Sequence, residues 1–137
     1  MRYVCGFAFQ EDFSRVLLLR KSHPEFQRGK LNGVGGKIEI GESPLTAMVR
    51  EFQEETGLGT QPQAWMLISC EAFESGDSVY FFASHWFEGP ELEAAVFAKQ
   101  DQEEPLVIHS TDGLGDIARR GNDKLMYNLP YLVGRVS

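Results

Sequence analysis

Apolar positions change period along the chain, and the changes mark out elements. Tyr3 to Phe9 and Val16 to Arg20 are β-rich runs separated by the polar turn Gln10-Glu11-Asp12. They predict a hairpin or two neighbouring strands. Ser22 to Gly29 is polar, contains Pro24 and reads as a loop. Leu31-Asn32-Gly33-Val34-Gly35-Gly36 holds too much glycine for a regular element, and predicts backbone angles or close approaches that a Cβ would obstruct. Leu45, Met48, Val49 and Phe52 then recur at helical spacing. Ser43 suits the N-cap, Pro44 the first helical position and Gly57 the left-handed site past the end, so a helix is predicted over Pro44–Thr56. A Schellman-type close would return Leu58 to Phe52. Ala64–Cys70 and Val79–Phe87 predict two further strands around the turn Ser75-Gly76-Asp77, and Leu106–His109 a short one. Trp65 and Trp86 lie in these apolar runs and are expected in the core. Glu88 to Glu104 fits no single period. Thr111–Gly115 reads as a turn, with short helices expected over Asp116–Arg120 and Asn122–Val133. No repeat is present. The class expected is α/β: one domain over residues 1–137, a mixed sheet with a few helices packed on it.

Charge narrows the function classes. The 137 residues carry a net charge of −7, so no broad positive field exists to hold a nucleic acid polymer. A nucleotide can still bind where cations lie between the two anions. Cys5 and Cys70 form no CxxC pair and no disulfide framework, which points to a reducing, cytoplasmic setting. No apolar run is long enough for a signal core or a membrane span, so no membrane partner is expected. His23, His85 and His109 make no metal-spaced pair, and no P-loop is present.

The stretch Gly35–Leu58 (GGKIEIGESPLTAMVREFQEETGL) holds carboxylates at Glu39, Glu42, Glu51, Glu54 and Glu55. On the predicted helix Glu51, Glu54 and Glu55 are spaced i, i+3, i+4 and share one arc beside the apolar stripe. Like charges so close repel by a few tenths of a kcal/mol per pair, roughly, even on an exposed helix. Two uses are open: a solvated acidic face, or a half-cage for Mg²⁺, which takes one or two carboxylates, waters and phosphate oxygens. Arg50 and Lys37 could offset part of the repulsion in either case.

Gly36, Glu42, Arg50-Glu51, Glu54-Glu55 and Gly57-Leu58 reproduce the spacing G-x5-E-x7-R-E-U-x-E-E-x-G-U. Background residue frequencies give such a match on the order of once in 10⁸ windows. The chain therefore resembles the Nudix hydrolases, with Phe52 standing where that family more often has an aliphatic residue. The resemblance implies a Nudix-type α/β/α sandwich with a mixed β-sheet, and hydrolysis of a nucleoside diphosphate linked to X. It implies Mg²⁺, with Mn²⁺ as an alternative, held by Glu51, Glu54, Glu55 and the Gly36 carbonyl. Arg50 and Glu42 would brace the loop and helix. The base taking the water's proton would be Glu51 or a downstream glutamate, Glu103 or Glu104. Leu31–Lys37 is similar to the WNGxGGK segment of MutT-like enzymes, with Leu31 in place of the tryptophan. That makes Asn32 a candidate base contact as well as an ordinary turn residue, and Lys37 and Arg20 candidate phosphate contacts. Asn122-Asp123 stands where such enzymes carry a purine-reading acidic pair, although capping of the last helix is the more ordinary use of such residues. The expected substrate is a nucleoside triphosphate, with oxidised purine nucleotides among the candidates, cleaved to monophosphate and pyrophosphate by a monomer or homodimer. ADP-ribose or dinucleoside polyphosphate hydrolysis, and a catalytically silent nucleotide-binding module, are the alternatives.

Overall fold

A computed structural model describes residues 1–112. The chain folds as β1 (Arg2–Gln10), β2 (Arg15–Arg20), β3 (Leu31–Asn32), β4 (Val34–Lys37), α1 (Pro44–Thr56), β5 (Met66–Ala72), β6 (Ser78–Phe87), α2 (Gly89–Ala98) and β7 (Leu106–Ser110). The helices expected over Asp116–Arg120 and Asn122–Val133, most of the Thr111–Gly115 turn, and Asp123 lie outside the described residues.

The predicted hairpin forms. Ala8 pairs with Leu17 and Phe9 with Val16, antiparallel, around a turn in which Asp12 Oδ1 accepts from the Ser14 N–H at 3.0 Å. β1 is the hub of one mixed sheet. Its other edge runs parallel to β6, from Arg2 opposite Ser78 to Gln10 opposite Phe87, and β5 flanks β6 antiparallel. β2 carries β3 and β7.

The glycine stretch differs from its expectation. It contains two short strands, and β4 pairs antiparallel with the first half of β1, Tyr3 opposite Lys37 through Gly6 opposite Val34. A Cβ on Gly35 would strike the Val4 carbonyl. Glycine here does not prevent a strand; it lets one lie unusually close to its neighbour.

The alternation of β1 separates two cores. Val4 and Ala8 join Leu17, Val34, Met48 and Phe52 on one face, while Cys5, Phe7 and Phe9 join Val16, Leu18 and Phe81 on the other. Both described helices contribute to the first, α2 through Leu92 and Ala95. Fully burying a side chain such as Phe52 is worth about 1.5–3 kcal/mol. The buried stripe of α1 is Ala47, Met48, Phe52 and Thr56, with Leu45 and Val49 only half-buried, so it is rotated from the predicted one. Phe52 meets Trp65 edge-on at 5.0 Å between ring centroids and Phe87 at 5.4 Å, which gives the aromatic at that position its purpose.

Trp65 is buried as expected, but Trp86 is 68% exposed. The β5–β6 ladder begins at Met66 opposite Ala83, so Trp86 lies beyond its end, and Phe87 turns inward instead. α2, unassigned from sequence, starts at Gly89-Pro90 with the Glu88 N–H donating to Glu91 Oε1 at 3.0 Å. A glutamate N-cap lies outside the usual Ser/Thr/Asp/Asn set, so its start signal was weak.

Candidate active site

α1 is built as its sequence implies. Ser43 Oγ accepts from the Thr46 N–H at 3.1 Å, a cap worth about 1 kcal/mol. Gly57 adopts φ 80° and donates to the Gln53 carbonyl at 2.8 Å. The close is not a full Schellman turn, because the Leu58 N–H donates to Thr56 Oγ1 at 3.1 Å. Leu58 still packs on the core cluster that holds Phe52. These caps fix where the helix begins and ends, and therefore which way its glutamates face.

Arg50 gathers the site. Its Nε and Nη2 donate to the two oxygens of Glu42 at 2.7 and 2.8 Å, a bidentate pair. Nη2 also donates to the Lys37 carbonyl at 3.0 Å, tying the end of β4 to the helix. Nη1 donates to Glu51 Oε1 at 3.0 Å and Glu54 Oε2 at 3.3 Å. Glu42 in turn accepts from the Glu39 N–H at 2.9 Å, closing the intervening loop on itself. The Arg50 bonds, with that N–H, hold the Glu42 carboxyl down at about 2, and raise Arg50 above its ordinary value.

Glu51 is far more enclosed than Glu54, with 12% of its side chain exposed against 57%. Burial raises its pKa, and the Arg50 bond offsets only part of that. It faces Gly36: a Cβ there would lie 2.5 Å from the Glu51 carboxylate. The bare glycine thus opens a cradle between β4 and α1. Glu55 is half-buried and makes no ion pair or hydrogen bond with any described residue.

Among the described residues no three His, Cys, Asp or Glu side chains are gathered tightly enough to form a closed metal site. The donors are nonetheless hard oxygens, which suit Mg²⁺, and that ion usually completes its shell with waters and substrate oxygens. The Gly36 cradle beside Glu51 fits such a partial set.

Of the other expected site residues, Asn32, Arg20 and Glu104 fall in a second corner, at the end of β2, whereas Lys37 ends β4 beside Arg50. Leu19 pairs with Asn32 and Arg20 with Leu31. Arg20 Nη1 donates to the Gly29 carbonyl at 3.3 Å. Asn32 is half-buried and Lys37 exposed. Asn32 and Gly36 are four residues apart, at most about 14 Å of extended chain. Glu104 does not join the glutamates of α1. It accepts from the N–H groups of Ser22 at 2.7 Å and His23 at 3.2 Å and pairs with Lys21 at 3.4 Å. Burial pushes its carboxyl up, but those N–H groups and Lys21 outweigh it and leave it lowered. Glu103 is exposed. Sequence reasoning placed Cys5 among ordinary apolar residues; its Sγ in fact donates to Asn32 Oδ1 at 3.5 Å. Only the β1–β4 register could have revealed it.

A family model described as NUDIX domain matches residues 1–117. The chain is 34% identical over 79 residues to the 8-oxo-dGTP diphosphatase of Escherichia coli (strain K12), a match spanning 56% of this chain and 60% of that enzyme's length. Its fold is similar to the solved structure of MutT described for Aliivibrio salmonicida and Vibrio cholerae, with TM-score 0.63 and 23% identity over 96% of this chain and 91% of that one. A MutT/nudix family protein from Enterococcus faecalis superposes with TM-score 0.59 and 14% identity over 80% of this chain and 43% of that one.

Proposed function

The chain belongs to the NUDIX domain family, and from that premise we propose that it hydrolyses a nucleoside diphosphate linked to X with the help of Mg²⁺. The substrate we favour is a purine nucleoside triphosphate, normal or oxidised, cleaved to monophosphate and pyrophosphate. The observation that carries this reading is the convergence of Arg50, Glu42, Glu51 and Glu54 on the one flank of α1 that faces Gly36. The sequence similarity to an 8-oxo-dGTP diphosphatase supports the choice of nucleotide.

Mg²⁺, when bound, neutralises the phosphate chain and lowers the pKa of the attacking water. Glu51, Glu54 and Glu55, with the Gly36 carbonyl, are the groups that would hold it. Arg50 keeps the glutamates in place by donating twice to Glu42 and also to Glu51, Glu54 and the Lys37 carbonyl. Glu51 is assigned the proton of the water, because it is the enclosed carboxylate of the flank that faces Gly36. Lys37 and Arg20 are exposed cations near the glycine strand and meet the phosphates, while Asn32 meets the base. Asp123 is assigned to the purine edge on the resemblance alone.

The test is product analysis with Mg²⁺ on normal and oxidised nucleoside triphosphates, ADP-ribose and dinucleoside polyphosphates, with a chelator control. Chelator-sensitive monophosphate and pyrophosphate from a triphosphate is the expected result. Cleavage of only ADP-ribose or a dinucleotide overturns the substrate, and cleavage of nothing overturns the enzyme.

A further inference from the structure

Asn32 is held in one orientation by a backbone N–H that can only donate, with a thiol beside it. The Gly33 N–H reaches Asn32 Oδ1 at 2.8 Å and the Cys5 thiol reaches the same oxygen at 3.5 Å. A backbone N–H cannot accept, so the amide oxygen must be the atom turned inward and the Nδ2 hydrogens must face the other way. No described residue accepts from Nδ2.

Cys5 is suited to this task and to little else. It is 5% exposed, inside the cluster of Phe7, Phe9 and Leu31. Burial pushes its thiol up to about 12, so it stays protonated and keeps its donor, and it is neither a nucleophile nor a redox sensor. Its approach depends on Gly33, where a Cβ would come within 2.7 Å of Cys5 Sγ. Two residues of β1 and the β3–β4 corner are therefore shaped around one carbonyl oxygen.

We propose that Cys5 is a positioning residue for nucleotide selection: together with the Gly33 N–H it locks the Asn32 oxygen inward, so that Asn32 meets the bound base only as a hydrogen-bond donor. This rests on the reading of Asn32 as the base contact. The lock favours a base edge that offers a carbonyl oxygen or an unprotonated ring nitrogen. A freely turning asparagine would present either end and discriminate less.

The experiment is a mutant cycle read by steady-state kinetics with 8-oxo-dGTP and Mg²⁺. Cys5→Ala should raise KM roughly three- to tenfold, the worth of one modest hydrogen bond, with kcat little changed. Cys5→Ser, which restores a donor, should return KM towards wild type. In an Asn32→Ala background Cys5→Ala should have no further effect on KM. An equal rise in KM with Asn32 already removed, or an effect on kcat alone, overturns the proposal. Asn32→Asp keeps both inward bonds and removes the outward donor, and keeps the test alive if Cys5→Ala fails to fold. It should raise KM as much as Asn32→Ala, and an unchanged KM overturns the donor assignment. A second readout needs no catalysis. In nucleotide-free, ¹⁵N-labelled protein, Cys5→Ala should shift the Asn32 side-chain amide pair and loosen it while the shorter Gly33 bond remains, and Cys5→Ser should not. An unmoved pair overturns the lock. A moved pair without any hydrolysis supports the lock and makes the hydrolase reading the part that failed.

Discussion

Two segments of this chain are comparably acidic and behave differently. Glu39–Glu55 and Glu88–Glu104 each contain a helix with proline in its first turn and several glutamates. In the first, Glu42, Glu51 and Glu54 converge on a single guanidinium, beside a glycine whose missing Cβ lets the Glu51 carboxylate lie against the strand. In the second the carboxylates are dispersed on structural tasks. Glu91 caps α2, Glu93 pairs with Arg15 at 3.0 Å, and Glu104 pins the loop after β2. Acidic density alone does not make a site; convergence on a braced, partly enclosed surface does.

The largest difference is expected when one glutamate in each segment is neutralised. Glu51→Gln or Glu54→Gln should lower kcat by about 10²–10⁴-fold, with an unchanged thermal melt. Glu93→Gln should leave kcat as it is. Equal losses from the two segments would remove the distinction drawn here.

Gly36→Ala comes next in size. The added methyl would meet the Glu51 carboxylate at 2.5 Å and push it aside. A displacement of that kind costs on the order of 10² in kcat. Single-turnover kinetics on folded Gly36→Ala protein would measure it, and wild-type rates would show that the cradle is unused.

Arg50 tests the bracing. Arg50→Met strands partly enclosed carboxylates and should lower Tm by roughly 5–10 °C. Arg15→Met, which breaks the more exposed pair with Glu93, should cost at most about a third of that. Acid unfolding reads the same bracing. The folded pKa of Glu42, about 2, lies below its ordinary 4.5, so its stabilisation is complete above the upper value and is lost as pH falls towards the lower. Glu42→Gln should therefore be less stable than wild type at neutral pH and lose less on acidification through that window. Parallel acid melts of the two proteins would contradict this.

The smallest effect is expected at Glu104. Glu104→Gln keeps an acceptor for the Ser22 and His23 N–H groups, so kcat should stay within about threefold of wild type. A loss as large as that of Glu51→Gln would make Glu104 the base and move part of the site into the second segment.

Local chemistry made much of this legible in advance. The bounds of α1 follow from Ser43, Pro44 and Gly57, each of which acts on backbone within a turn of itself. The hairpin of β1 and β2 follows from two β-rich runs and a polar turn. The carboxylate arc of Glu51, Glu54 and Glu55 follows from helical spacing alone. What failed depended on neighbours distant in sequence. The glycine stretch became strands because β1 lay alongside it. Trp86 faced outward because the ladder with β5 ended before it. The exception is α2, which went unassigned for a local reason, its glutamate cap.

Short-range sterics and hydrogen bonding, acting within a few residues, set α1, its caps, five of the seven strands and the acidic groups available for chemistry. Tertiary structure alone decided which carboxylates Arg50 would collect, that Glu104 would instead hold a loop 81 and 82 residues away in sequence, and that Cys5 would fix Asn32 across 27 residues. Those outcomes depend on strand register and on the space a missing Cβ leaves, and register is a property of the whole sheet.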